Sequence, residues 1–415
     1  MTLNQVVVVG AGIAGVSATA ALRSSGYEGR ILLVGDEAEL PYRRTTVSKE
    51  LLRGDKTADG VRIKPEQWYV DQQVELLTGT QVASIEPGVA VTDAGERLAF
   101  DRLVLATGGR ARNPFVGDRV RTLRGLSDLP LPVGPDVPVV IVGAGLIGSE
   151  GASSLRSLGH DVTLLETAAL PLPRLLPASL AERYVALHKG NGVDLQTAVT
   201  VTSVVDHGDD VVVSAADGRS WSAGLVLVAV GMDANTELAD AAGARLESGG
   251  IAVDWTGATS LPGVYAAGDV AARPSSFVPD SFRLEHWQGA QNHGTAVGKA
   301  VAGQDVTFDE VPWCWSDQYG QSLQVTGWTD GDVVVRGDVE GTDFAAFFVR
   351  DGVLRGAVAL GRPSDIRAAR AMVADRVVVD PARLADSDVP VAETLLPCHP
   401  TTPLASLTPP RGPRR

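Results

Sequence analysis

Residues 5–15 read QVVVVGAGIAG, and residues 137–148 read VPVVIVGAGLIG. Each is a short Val/Ile run of the kind buried in a parallel sheet, closed at once by G-x-G-x-x-G. The glycines are Gly10, Gly12 and Gly15 in the first copy and Gly143, Gly145 and Gly148 in the second. A helical segment follows each, VSATAALRSSG and SEGASSLRSLG, and each ends on a glycine, Gly26 or Gly159, suited to a helix C-terminus. A second apolar run then closes on acid: RILLVGDE ends on Asp36 and Glu37, and DVTLLE on Glu166. These are two complete βαβ units rather than two isolated glycine patterns.

The spacing has a physical reason. The first glycine allows the tight turn, the second lets backbone approach a pyrophosphate, and the third lets helix pack close to strand. The helix N-terminus offers free N–H groups to phosphate. The acid about twenty residues on accepts from ribose hydroxyls. Two such units predict two dinucleotides, and FAD with a nicotinamide is the economical pair, since a flavin couples two-electron to one-electron chemistry.

Working outward, DRLVLATGGRARN (101–113) and GLVLVAVGMDANTEL (224–238) read as strands ending in turns at Gly108 and Gly231. LPGVYAAGDVAA (261–272) is a strand ending at Gly268-Asp269, where the carboxylate either meets a polyol hydroxyl or caps the next helix. Beyond Val311 the character changes to alternating segments, LQVTGWT, DVVVRGD, DFAAFFVRDG and VLRGAVALG. They predict an antiparallel meander with turns at Gly331, Gly337 and Asp351-Gly352, then a helix near 364–376.

Composition bounds the function. The chain has 415 residues, 44% hydrophobic and 21% charged, which excludes disorder as the main architecture. No apolar run is long enough for a membrane span. The start, MTLNQVVVVGAG, reads as an early strand rather than a signal peptide. Cys314 and Cys398 are too few and too far apart for a disulfide framework, a CxxC pair or a cysteine-rich metal site, which points to the cytoplasm and to no resident metal. The net charge of −14 argues against nucleic acid. Lysine is scarce: Lys49, Lys56, Lys64, Lys189 and Lys299 stand among 36 basic residues.

The motifs VVVVGAGIAG, PYRRTTVSKELL, LVLATGGR, VIVGAGLIGSE, VLVAVGMDANTEL, VYAAGDVA, WQGAQNHG and VPWCWSDQY together resemble the FAD-dependent NADH–ferredoxin reductases of oxygenase systems, the biphenyl-dioxygenase, putidaredoxin and rubredoxin reductase type. The resemblance spans about residues 5–392. It implies two Rossmann-type domains plus a C-terminal α+β domain. The FAD domain would be split over 1–112 and 236–311 around an NADH domain at 113–235. The C-terminal domain would take 312–396, with a Pro-rich tail at 397–415.

The resemblance also assigns residues. Gly10, Gly12 and Gly15 would hold the FAD pyrophosphate, with Asp36 or Glu37 on its adenosine ribose. Gly143, Gly145, Gly148 and Glu166 would hold NADH, and Glu166 would repel a 2′-phosphate, with Arg174 nearby in sequence. Lys49 and Glu150 would form the catalytic pair at the hydride-accepting edge of the flavin. Asp269 and Gly268 would meet the ribityl chain and pyrophosphate. Arg44, Thr107, Gly108, Arg112 and Gly231 would be further cofactor contacts, Trp287 and Gln288 would close over the flavin, and Trp315 would lie near its far side. The implied reaction passes hydride from NADH to FAD and single electrons to a [2Fe–2S] ferredoxin serving an oxygenase or cytochrome P450, in a monomer or homodimer.

Four further expectations follow. Thr45-Thr46 replace two prolines usual in the family, which predicts a looser loop before Lys49 and leaves open a reductase of small molecules or oxygen. A third reading is an NADH-binding signalling flavoprotein of the apoptosis-inducing-factor kind. Residues 350–376 carry six arginines against three aspartates, so they are either a steering patch for an acidic ferredoxin or a solvated face. Cys398 and His399 in the tail read as inert.

Overall fold

In the computed structural model, residues 3–396 are described, except 135, 174, 279 and 340. Arg174, Cys398, His399 and the tail 397–415 lie outside the described residues. Two parallel sheets and one antiparallel sheet organise the chain.

The first sheet contains β1 (Gln5–Val9), β2 (Arg30–Val34), β3 (Val74–Leu77) and β4 (Arg102–Leu105), with α1 (Ile13–Ser24) crossing from β1 to β2. The second contains β5 (Val120–Arg121), β6 (Val139–Val142), β7 (Val162–Leu165), β8 (Asp194–Gln196) and β9 (Leu225–Val228), with α2 (Leu146–Ser157) crossing from β6 to β7 and α3 (Ala178–Gly190) from β7 to β8. After completing it the chain returns, and β10 (Val264–Ala266) pairs with β4 at the edge of the first sheet. The strand orders are β10-β4-β1-β2-β3 and β8-β7-β6-β9-β5, and every pairing is parallel. Strands β1 and β6 are Val/Ile runs because such sheets are covered on both faces.

The repeat extends further than the glycine motif. A three-stranded antiparallel sheet lies between β3 and β4, at 82–86, 89–92 and 97–99, and another between β8 and β9, at 201–206, 211–215 and 220–223.

Helix α4 (Trp287–Val301) lies on α1 at backbone distance. A Cβ at Gly294 would sit 2.2 Å from the Ala14 carbonyl oxygen, and one at Gly298 would sit 2.3 Å from that of Ala18. That close approach sets the α4 N-terminus, with Trp287 and Gln288, against the glycine end of α1.

The C-terminal sheet is antiparallel, in the order β11 (Trp313–Gln318), β12 (Gln321–Gly327), β15 (Val353–Leu360), β14 (Asp343–Arg350), β13 (Asp332–Asp338). One face buries Phe347 and Ala357 against α5 (Pro363–Ala374); the other buries Phe348 and Val358 against Leu172, Leu180 and Tyr184 of the second unit. The turn at Asp351-Gly352 is where the sequence places it. Gly337 is not a turn: it lies inside β13 opposite Phe344, where its positive φ of 84° kinks the strand beside the Arg362 guanidinium.

Candidate active site

The two glycine loops are built alike. Gly10 and Gly143 have φ of +107° and +103°, a conformation that side chains resist. A Cβ on Gly15 would lie 1.9 Å from the Gly10 carbonyl oxygen, and one on Gly148 would lie 1.9 Å from that of Gly143, so each third glycine lets helix meet turn. Gly12 and Gly145 differ, because a Cβ there would meet no atom within 4 Å. Each faces open space at a helix N-terminus whose first turn has no acid and no side-chain cap. Both cradles therefore fit a dinucleotide pyrophosphate.

The acids at the second strands are held differently. Glu166 accepts from the backbone N–H groups of Ala144 and Ala168, each at 2.8 Å, which ties it to the glycine turn. Glu37 accepts from Arg44 Nη2 at 2.6 Å and from the Tyr42 hydroxyl at 2.9 Å. Asp36 is exposed. In the first unit, then, Glu37 is committed to Arg44, and Asp36 is the acid open to a ribose.

Asp269 does not cap a helix. It sits in a 3-10 turn (Gly268–Val270) whose N-cap is Ala267, and its Oδ1 is buried with no hydrogen-bond partner among the described residues. Burial pushes this carboxyl up to about 6, against the pull of Arg124. Arg124 lies 3.8 Å away, and Gly125 adjoins Glu37, Tyr42 and Arg44. An orphaned carboxylate oxygen beside a half-buried guanidinium suits a hydroxyl-rich, phosphate-bearing cofactor such as FAD. Arg124 was not legible from the sequence, since it stands outside every glycine motif and reaches Asp269 only through the fold. Thr107 and Gly108 are locked to Asn235: the Thr107 hydroxyl donates to its carbonyl at 2.7 Å, and its backbone N–H donates to the Gly108 carbonyl at 3.0 Å. Arg112 is exposed and paired with Asp233 at 2.6 Å, beside Gly231, whose carbonyl accepts from its backbone.

Lys49 and Glu150 meet as the sequence suggested. Lys49 Nζ donates to Glu150 Oε2 at 2.7 Å, and both residues are buried, at 7% and 3% exposure. Ser48 donates to the same oxygen at 2.5 Å. The loop carrying them is tied by several hydrogen bonds. The Thr46 N–H and hydroxyl both donate to the Arg43 carbonyl, the Lys49 N–H donates to the Thr46 carbonyl, and Ser154 donates to the Ser48 carbonyl. The Thr46 hydrogen bonds close a 3-10 turn at the position where the family's prolines would act by fixing φ.

Trp287 stands T-shaped to Trp315 at 6.1 Å, and Trp315 stacks on Trp313 at 5.1 Å. The Trp287 indole nitrogen is buried without a partner among the described residues. Gln288 donates to Gln291 and Asn292 within the same helix.

Residues 4–294 match the model of the family described as pyridine nucleotide-disulphide oxidoreductase, and residues 313–395 match that described as reductase C-terminal. The ferredoxin–NAD(+) reductase component of the p-cumate 2,3-dioxygenase system of Pseudomonas putida is 36% identical, over 94% of this chain and 98% of that protein. Putidaredoxin reductase of Pseudomonas putida is 34% identical, over 94% and 97%. The solved covalent complex of putidaredoxin reductase with putidaredoxin contains a chain that superposes with a TM-score of 0.90 at 33% identity, covering 94% of this chain and 98% of that one.

Proposed function

Because this chain belongs to the pyridine nucleotide-disulphide oxidoreductase family and carries its reductase C-terminal domain, we propose that it is an NADH-dependent reductase of a small [2Fe–2S] ferredoxin that feeds an oxygenase or cytochrome P450. One NADH supplies two electrons, two ferredoxins take one each, and one proton is released. FAD, when bound, supplies the chemistry that joins the two halves, since it accepts a hydride and gives up electrons singly. The observation that carries the reading is the pair of matched dinucleotide cradles in separate sheets, with the buried Lys49–Glu150 pair joining their units.

The roles follow from position. Gly10, Gly12 and Gly15 receive the FAD pyrophosphate, Asp36 the adenosine ribose, and Asp269 with Arg124 the polyol and phosphates. Gly143, Gly145, Gly148 and Glu166 receive NADH. Lys49 retains two N–H donors beyond the one given to Glu150, and these would hold the edge of the flavin that takes the hydride. Glu150 keeps that ammonium from standing as an isolated buried charge. Trp287 and Trp315 exclude water. We assign 1–112 and 236–311 to FAD, 113–235 to NADH and 312–396 to the third domain, and place the protein in the cytoplasm. The small-molecule alternative has only the Thr45-Thr46 departure in its favour, and the ferredoxin reading is supported by the relatives.

Anaerobic stopped-flow mixing tests this reading. NADH bleaches the flavin absorbance rapidly, NADPH does so slowly, and cytochrome c reduction requires added ferredoxin. Turnover that is the same with and without ferredoxin overturns it.

A further inference from the structure

Strand β11 presents two faces to two different places. Trp313, Trp315 and Asp317 alternate with Cys314, Ser316 and Gln318. The first set carries Trp315 to Trp287 over the proposed flavin site. The second is buried toward α2, and there Ser316, at 1% exposure, donates its hydroxyl to Glu150 Oε1 at 2.8 Å. Gln318 Nε2 donates to that same hydroxyl at 2.8 Å, and the Tyr319 N–H donates to Ser153 of α2 at 2.9 Å.

Glu150 is thus divided between two parts of the chain. Its Oε2 takes Ser48 and Lys49, both from the first unit. Its Oε1 takes Ser316 from the C-terminal sheet. Ser48, Lys49 and Ser316 all donate to the carboxylate: Gln318 turns the Ser316 oxygen into an acceptor, so the hydroxyl proton is aimed at Glu150. A carboxylate held at one oxygen rotates about its terminal bond, and one held at both does not. With Oε1 fixed, Oε2 stays where Lys49 meets it.

We propose that Ser316 is a positioning residue for hydride transfer: from the C-terminal domain it fixes the Glu150 carboxylate, which in turn fixes the Lys49 ammonium. The domain is then part of the hydride site as well as a cover over the flavin. This deepens the reductase reading and rests on it for the identity of the reaction.

The test uses the holoprotein with Ser316→Ala and Ser316→Thr. A trace of amine-reactive reagent is added, and labelling of each of the five lysines is followed by mass spectrometry. Lys49 is labelled slowest in the wild type, because its amine is buried and held against Glu150, out of reach of the reagent. Ser316→Ala raises Lys49 labelling about threefold or more and leaves Lys189 and Lys299 unchanged, while Ser316→Thr stays near wild type. In stopped flow Ser316→Ala lowers the limiting rate of reduction by NADH about tenfold, which is about 1.4 kcal/mol in the barrier, with the NADH dissociation constant unchanged. The proposal is overturned if Lys49 labelling does not change, if all five lysines rise together, or if threonine rescues nothing. Should Ser316→Ala fail to fold, Gln318→Met removes the donor behind Ser316, and wild-type Lys49 labelling in that variant is equally fatal. A wild-type holoprotein that NADH does not bleach defeats the reductase reading instead, and the labelling still reports on Ser316.

Discussion

Oδ2 of Asp269 lies 3.8 Å from Nη2 of Arg124, while its Oδ1 is buried with no hydrogen-bond partner among the described residues. The distance is too long for a direct hydrogen bond. The pair is therefore spaced to share a third group, and the carboxylate bears most of the desolvation until that group arrives.

Asp269→Asn separates stability from cofactor binding. Burial holds the Asp269 carboxyl at about 6 against an ordinary value of 3.8. Between those pH values the folded chain keeps a proton that the unfolded chain has lost. Stability from this group is full below pH 3.8 and lost as pH rises through 6, by about 3 kcal/mol. At pH 7 the apoprotein of Asp269→Asn is expected to unfold at higher urea than wild type, yet to retain FAD about tenfold more weakly. A variant apoprotein less stable than wild type counts against this account.

Three histidines act with the opposite sign. Burial lowers His188 to about 4, His286 to about 4 and His293 to about 3, from 6.5. The unfolded chain binds these protons first, so their contribution is full above pH 6.5 and lost as pH falls through 4. His188 and His286 account for about 3 kcal/mol each. The melting temperature is expected to fall steeply between pH 6 and 4. His188→Gln, which removes the ring beside Tyr319, flattens that slope at some cost in stability at pH 7. A slope identical to wild type excludes His188 as a contributor.

The Lys49–Glu150 pair is expected to be worth less together than either partner is alone. Lys49→Met leaves a buried carboxylate with hydroxyl donors only, and Glu150→Gln leaves a buried ammonium unpaired. Each is expected to lose about 3–5 kcal/mol, and the double variant to regain at least half. Urea midpoints of the four proteins measure the cycle; additive losses contradict the pairing.

Glu166, proposed above to meet the NADH ribose, also supports its glycine turn. Its two oxygens hold the N–H groups of Ala144 and Ala168. Glutamine offers one acceptor oxygen in place of two, so Glu166→Gln leaves one of those N–H groups without its partner. The KM for NADH is expected to rise about tenfold, while discrimination against NADPH falls because the charge is gone. Steady-state kinetics with both nucleotides decide it, and an unchanged KM for NADH rejects the turn-holding role.

Both dinucleotide units were legible because continuous Val/Ile strands, helix and terminal acid repeat within a short stretch of chain. The small antiparallel sheets at 82–99 and 201–223 were not, because short mixed strands such as Val82–Glu86 lack clean alternation. The Lys49–Glu150 meeting was reached through resemblance alone. Ser316 lay inside a quoted motif, but its partner is 166 residues away, and local pattern carries no such information. Gly337 misled because a glycine that kinks a strand reads like one that turns it.

The arginines at 350–376 lead to a prediction about salt. Arg350 and Arg355 pair with Asp330, Arg362 with Asp343, and Arg370 with Glu310, all acids from outside the segment. Arg376 donates to the Ser276 carbonyl and hydroxyl, and Arg367 is exposed. The local excess of positive charge is therefore mostly spent within the protein, in a chain whose net charge is −14. Long-range attraction of an acidic ferredoxin should contribute little to encounter. Raising ionic strength from about 0.05 to 0.25 M is expected to change kcat/KM for ferredoxin by less than about threefold, where a steered encounter would fall far more steeply. Arg367→Glu is expected to have a similarly small effect. A steep loss with salt, together with a large loss in Arg367→Glu, would favour the steering-patch reading of residues 350–376.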